Sequence, residues 1–109
     1  MIDIRLPTEV EKVFNEFLTC ELTTFARDGT PITWPILPIY RPQPFQFLIL
    51  TPIGLPQKAF HIQRNPHVSL LFSDPTGSGL VNPPAVLVQG DAEVPDEILT
   101  ARETADEGL

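Results

Sequence analysis

The fold is decided by residues 22–40, whose sequence is LTTFARDGTPITWPILPIY. Two β-prone runs flank Asp28-Gly29, and an Asp-Gly pair in that position is a strong short-range signal for a β-hairpin. The second arm, residues 32–40, carries apolar side chains on both faces of a strand, which predicts that both faces are covered. Pro35 and Pro38 each remove a ladder donor. They place this arm at a sheet edge or beside a bulge, where a ligand or a second subunit can cover it.

Helices and further strands are predicted on both sides of this hairpin. Thr8 and Glu11 form a capping box at the start of an amphipathic helix of about three turns. Pro56 and Asn65-Pro66 delimit a second helix, and Pro95-Asp96 begins an acidic third one. Three more strands are predicted, with a bulge at Gly90 in the last of them: residues 45–51, 67–73 and 85–94.

This order of elements predicts a mainly β protein with flanking helices, in the α+β class. Five short, mostly antiparallel strands with helical caps suggest a small Greek-key barrel. The chain ends directly after the predicted third helix, so we expect the sixth strand that closes such a barrel to be missing or to come from elsewhere.

Composition indicates a single globular domain spanning residues 1–109, with 42% hydrophobic and 19% charged residues. The net charge of −7 argues against a nucleic-acid partner, because phosphate binding requires clustered cations. Cys20 is the single cysteine, which excludes an internal disulfide and favours a reducing compartment. No secretory signal and no apolar run long enough for a membrane span is visible, so we expect a cytoplasmic protein without a membrane partner.

The spacing around the second helix suggests a phosphate site. Backbone N–H groups in the first turn of a helix are unpaired, and Lys58 lies in that turn. Thr51, at the end of the incoming strand, adds a hydroxyl donor, and Gln57 adds an amide. The alternative interpretation is that Lys58 is an ordinary solvated lysine.

Other polar residues give weaker signals. Solvent exposure adequately explains His61, and neither His61 nor His67 has a cysteine or carboxylate at ligand spacing, so we expect no metal site and no catalytic dyad. Trp34 can stack on a planar ring, although a lone tryptophan in a strand is more often a core or dimer contact. The Gly-Ser-Gly at 77–79 indicates a loop. Because no catalytic constellation is visible, any chemistry would have to come from a bound cofactor.

Several of these segments together resemble one known family. The motif NPHVSLLF at residues 65–72, after a helix with a lysine in its first turn, and GDAEV at 90–94 are the most specific. Residues 22–29, 31–36, 47–51 and 57–59 extend the similarity. On these motifs the chain resembles the pyridoxamine 5′-phosphate oxidase-related, FMN-binding split-barrel family. The resemblance implies a homodimer with a flavin bound at each subunit interface.

The resemblance also implies a set of cofactor contacts. Residues 33–36 match the strand whose backbone faces the isoalloxazine ring. Gln57 and Lys58 match a phosphate-binding pair that is usually Arg-Lys. The matching positions are Thr33, Trp34, Pro35, Ile36, Leu50, Thr51, Gln57 and Lys58.

On this resemblance the expected activity is that of an FMN-dependent oxidoreductase, with hydride or electrons passing through the flavin to an unknown small molecule. A deazaflavin-dependent reductase on the same fold is one alternative. The other is a non-catalytic flavin- or haem-binding or scaffold member, which Gln57 and the missing strand favour.

Overall fold

The computed structural model describes residues 5–50 and 57–94, which form two helices and six strands. The helices are α1 (Thr8–Glu16) and α2 (Gln57–Arg64). The strands are β1 (Cys20–Phe25), β2 (Pro31–Ile36), β3 (Pro38–Arg41), β4 (Gln46–Ile49), β5 (His67–Phe72) and β6 (Val86–Asp91). The predicted acidic helix after Pro95 lies outside the described residues. In these two ranges neither helix has the length and apolar character needed to cross a membrane.

The strands form two antiparallel sheets. The larger has the order β2-β1-β5-β6, and the smaller pairs β3 with β4. The predicted hairpin joins β1 to β2. Its turn is closed by the Ala26 N–H donating to the Thr30 carbonyl at 2.9 Å, while the Thr30 N–H donates to the Asp28 side chain at 3.0 Å. Gly29 has a φ of 88°, a conformation in which glycine has no steric penalty.

The second arm of the hairpin is two strands rather than one. It leaves the larger sheet after Ile36 and enters the smaller sheet at Pro38, with Leu37 between them 66% exposed. Pro35 and Pro38 have no N–H to donate to a neighbouring strand. One continuous strand through both would therefore lack a ladder hydrogen bond on each side of Leu37. Among the described strands, β2 lies at the edge of its sheet, as predicted. On the outer face of β2, Thr33 and Pro35 are exposed in the single chain, so the expected cover of this face would have to come from a ligand or a second subunit.

Two local predictions are also wrong. Thr8 is the first residue of α1 and not its cap, because the helix begins one residue earlier than expected. Pro7 occupies the cap position, and its carbonyl accepts hydrogen bonds from the N–H groups of Val10 and Glu11. Gly90 is not in a bulge. It pairs with Val68 in a ladder that runs without interruption along β5 and β6.

The core lies between α1, the inner face of the larger sheet and the smaller sheet. Alternate residues of β1 and β5 point into it, whereas the residues between them form an outer face. Phe14 and Phe72 lie at the centre, with ring centroids 5.1 Å apart, and Phe47 contacts both. The buried hydrophobic residues are Val13, Phe14, Phe17, Cys20, Leu22, Ile36, Leu70 and Phe72. Burial, with a smaller contribution from the charge of Glu21, raises the pKa of the Cys20 thiol to about 12.

The Gly-Ser-Gly segment lies in a loop between β5 and β6, as predicted. Gly77 and Gly79 both have a φ of 77°. A Cβ at Gly77 would lie 2.7 Å from Cδ1 of Leu18, whereas nothing lies within 4 Å of a Cβ at Gly79. Ser78 is nearly buried between them, and its Oγ accepts a hydrogen bond from the Leu80 N–H at 3.1 Å. The segment is thus a tight turn held by its own hydrogen bonds.

Candidate functional site

A polar cluster lies where α2 packs on the larger sheet. We call it the Trp34 cluster, and it consists of Thr24, Trp34, Lys58 and His61. Thr24 lies on the inner face of β1 and is fully buried, and Trp34 lies on the neighbouring strand β2. Lys58 and His61 are three residues apart on α2 and therefore share one helix face. The cluster thus combines side chains from three elements.

One buried hydroxyl organises the cluster. The indole N–H of Trp34 donates to the Thr24 Oγ1 at 3.3 Å, and the same Oγ1 lies 2.9 Å from Nδ1 of His61. The imidazole and indole centroids are 6.2 Å apart. Lys58 Nζ lies 4.9 Å from the centroid of the Trp34 ring, within the range of a cation–π interaction. Lys58 therefore lies against an aromatic face on β2 and is partly buried.

The structure brings two of the predicted site residues together. Trp34 and Lys58 meet in the cluster, and Gln57 is the exposed first residue of α2. Thr33 and Pro35 are exposed on the opposite face of β2, where Thr33 Oγ1 lies 3.0 Å from Oγ1 of Thr23.

The other predicted positions are spread more widely. Ile36 is a core residue, 6% exposed, so its side chain is not available to a ligand. Leu50 follows β4 and is 46% exposed. Thr51 lies outside the described residues, as do residues 52–56, so the strand-to-helix junction predicted to bind phosphate is only partly described. The backbone of β2 has β1 on one side and no other strand of the described ranges on the other.

Two features of the described residues are available to a ligand. Lys58 supplies a partly buried cation, and the edge of β2 that no described strand covers supplies backbone hydrogen-bonding groups. The cluster contains no carboxylate, so it offers no acid–base pair of its own. Any redox chemistry at this place would have to come from the bound group.

His61 and Thr24 were missed by the sequence interpretation. His61 is half-buried and hydrogen-bonded, so the prediction that it is a solvated side chain is wrong. A signal did exist in the sequence. Thr24 alternates with Cys20 and Leu22 along β1, which places a hydroxyl on the apolar face, and a buried hydroxyl requires a partner.

A second feature is a groove on the outer face of the larger sheet, with a volume of about 460 Å³. At its rim, Nδ1 of His67 lies 2.7 Å from Oδ1 of Asp91, directly opposite on β6. The two side chains are 72% and 66% exposed. The residues lining the groove are Thr23, Phe25, His67, Val68, Ser69, Gln89, Gly90 and Asp91.

The sequence analysis expected neither a metal site nor a catalytic dyad at His67, and it did not anticipate this exposed pair. Residues 67 and 91 are 24 positions apart, and only the antiparallel register of β5 and β6 makes them neighbours. Over residues 5–50 and 57–94, no group of three or more His, Cys, Asp or Glu side chains is arranged to hold a metal ion. The pair is therefore a single potential ligand with an orienting carboxylate, and not a closed metal site.

Comparison with known proteins identifies the fold. No family model matches the sequence, and no curated protein matches it. Among solved structures the chain is similar to HutZ, a heme storage protein from Vibrio cholerae, with a TM-score of 0.66 and 20% sequence identity. The similarity covers 96% of this chain and 75% of the HutZ chain. At this identity it shows the fold alone, which is mainly antiparallel β with two helices in the described residues and is compatible with a split barrel.

Proposed function

We propose that this protein binds a planar cofactor carrying a negatively charged group, at the Trp34 cluster and the adjacent edge of β2. The observation that carries the proposal is the position of Lys58 Nζ, 4.9 Å from the ring centroid of Trp34, beside an edge strand. A lysine side chain is flexible when free, and holding it in place reduces the entropy lost on binding an anion. The ring that Lys58 contacts belongs to β2, whose outer edge no described strand covers.

FMN is the first ligand that this arrangement suits. Its phosphate would be bound by Lys58 and Gln57, and its ring would lie along the backbone of residues 33–36. When bound, the flavin supplies hydride or electron transfer, and the side chains described here bind and orient it. A deazaflavin has the same flat ring and anionic tail, so it is an alternative ligand for the same place.

A second subunit forms part of this proposal. Thr33 and Pro35 are exposed on the outer side of β2, and the edge of this strand is unpaired among the described strands. A second copy of the chain would cover this edge and enclose a flat ligand on its open side. Light scattering coupled to gel filtration tests the homodimer directly, and a monomer with bound cofactor would contradict it.

Haem is the second candidate, and the His67–Asp91 pair is the observation that favours it. A carboxylate that accepts from one imidazole nitrogen leaves the other nitrogen as a ligand and fixes the orientation of the ring. Histidine is a common axial ligand of haem iron. The structural similarity to a heme storage protein is in line with this candidate. In this form the protein would store or carry the group and would not be an enzyme.

The test is retention of added FMN, deazaflavin or hemin after desalting, measured by visible absorbance. We expect wild-type protein to retain one of them. If the anionic group binds Lys58, the variant Lys58→Met, which keeps the apolar stem, weakens retention by about tenfold or more, the worth of a charge-assisted hydrogen bond. Lys12→Met, at an exposed lysine of α1, is the matched control and should change nothing.

The haem candidate has its own variant. His67→Gln should abolish the spectrum of histidine-ligated haem and leave flavin retention intact. Retention of none of the three ligands by the wild-type protein would overturn the proposed function. Equal retention by wild-type and Lys58→Met protein would overturn the assignment of the cofactor to the Trp34 cluster.

A further inference from the structure

The hydrogen bonds of the Trp34 cluster bear on which ring nitrogen of His61 carries the hydrogen. We propose that the Thr24 hydroxyl fixes the tautomer of His61, so that the His61 Nε2–H is a second donor to the anionic group bound by Lys58. This inference rests on the proposed function for its ligand. Its structural part, the tautomer, is independent of any ligand.

The tautomer follows from counting donors and acceptors around one oxygen. The indole Nε1 of Trp34 can only donate, so it occupies one lone pair of the Thr24 Oγ1. Thr24 is fully buried, and its hydroxyl hydrogen requires an acceptor because leaving it unpaired away from water is costly. Nδ1 of His61, 2.9 Å away, is the acceptor that the described contacts offer. Nδ1 therefore carries no hydrogen, and in the neutral ring the hydrogen is on Nε2.

The other ring nitrogen of His61 is the one that remains for a ligand. Among the described residues, Nε2 of His61 has no hydrogen-bond partner. The imidazole is half-buried and lies against the same indole as the Lys58 ammonium group. Spacing of three residues on α2 places both side chains on one helix face. A phosphate has several acceptor oxygens, so one group can accept from the lysine and from the imidazole N–H together.

Thr24 is therefore a positioning residue, and His61 is the residue that contacts the ligand. Thr24 is fully buried behind both rings and has no exposed surface of its own. Removing its hydroxyl should act on binding of the anionic group through the orientation and tautomer of His61. It also removes the acceptor of the Trp34 indole N–H, an effect that a ligand without the anionic group would report separately. A merely structural role for Thr24 would leave the tautomer of His61 unchanged.

The experiment compares Thr24→Val, which keeps the branched shape without the hydroxyl, with Thr24→Ser, which keeps the hydroxyl. Long-range ¹H–¹⁵N NMR spectra report the tautomer of each histidine, and the His61 signals are assigned by their loss in His61→Gln. At a mildly alkaline pH, where free histidine is neutral, we expect wild-type and Thr24→Ser protein to carry the hydrogen on Nε2. In Thr24→Val we expect a mixture of both tautomers.

Ligand binding is measured on the same proteins with FMN and with riboflavin, which lacks the phosphate. We expect Thr24→Val to weaken FMN binding by about tenfold, the loss of one well-oriented hydrogen bond to a charged group. Thr24→Ser should stay within about twofold of the wild-type affinity, because its hydroxyl still orients the ring. Riboflavin affinity should be the same in all three proteins.

The outcomes separate this inference from the proposed function. A wild-type hydrogen on Nδ1 of His61 overturns the tautomer assignment whatever the ligand. Equal FMN affinity of wild-type and Thr24→Val protein overturns the donor role of His61, while the Lys58→Met result continues to support the cofactor site. If wild-type protein binds no FMN, the proposed flavin site and the donor role fall together, and the NMR result still decides the tautomer. Thermal unfolding of both Thr24 variants verifies that the compared proteins are folded.

Discussion

Replacement of Phe72 by alanine tests whether one aromatic residue joins the two sheets. Phe72 is fully buried on β5, and its ring centroid lies 5.1 Å from Phe14, 6.3 Å from Phe17 and 5.6 Å from Phe47. Phe72, on the larger sheet, therefore packs against α1 and the residue after it, and against β4 of the smaller sheet. Truncating a buried phenylalanine to alanine costs about 3 to 5 kcal/mol, because apolar burial is lost and a cavity remains. With ring contacts on three sides, we expect about 4 kcal/mol.

Equilibrium unfolding in urea measures this loss, followed by circular dichroism and by the fluorescence of Trp34, the single tryptophan. For a slope of about 2 kcal/mol per molar, the midpoint should fall by about 2 M. Leu87→Ala is the matched control, since Leu87 is 57% exposed on the outer face of β6 and its loss should cost about 0.5 kcal/mol or less. A loss below about 1.5 kcal/mol for Phe72→Ala, or equal losses for both variants, would refute the packing argument.

Three further predictions concern single groups. The Cys20 thiol has its pKa raised to about 12 by burial, so we expect a thiol reagent to label it in urea and hardly at all in the native protein, and rapid native labelling would contradict this. Hydrogen bonds from Thr76 lower the pKa of Asp74, so the folded state binds fewer protons than the unfolded state. The resulting stabilisation is fully present above the unfolded pKa of about 3.9 and is lost as the pH falls through the lower folded pKa. An acid titration of stability should accordingly be shallower in Asp74→Asn, and identical curves would exclude the effect. Gly77→Ala and Gly79→Ala should each lower the free energy of unfolding by about 1 kcal/mol, measured by thermal unfolding, because both positions have a φ of 77°. If only Gly77→Ala is destabilising, the cause is the contact of the new Cβ with the Leu18 side chain and not the backbone conformation.

Local chemistry made the hairpin and the strand edge predictable. The turn at Asp28-Gly29 depends on a glycine and a short acceptor side chain, both visible in sequence. The edge position of β2 follows from Pro35, because a residue without an N–H cannot sit in the middle of a ladder. The division of the second arm at Leu37 was not predicted. Both halves of that arm favour a strand, and only packing against different partners separates them.

The candidate site was predictable in part, for a similar reason. Lys58 and Trp34 were both selected as site residues, and the structure places them 4.9 Å apart. His61 was interpreted as a solvated side chain, because nothing within a few residues of it is a hydrogen-bond partner. Its partner Thr24 is 37 residues away, and the contact exists only because α2 packs on β1.

The sequence by itself determined which segments pair locally and that β2 lies at an edge among the described strands, and it selected Trp34 and Lys58, which the structure brings into contact. These properties depend on backbone donors, turn residues and alternation over a few positions. The tertiary structure alone decided that one arm serves two sheets, that a buried hydroxyl joins Trp34 to His61, and that His67 faces Asp91 across a groove. Each of these contacts joins residues far apart in the chain. Their geometry is set by the register and packing of whole elements, which no local pattern encodes.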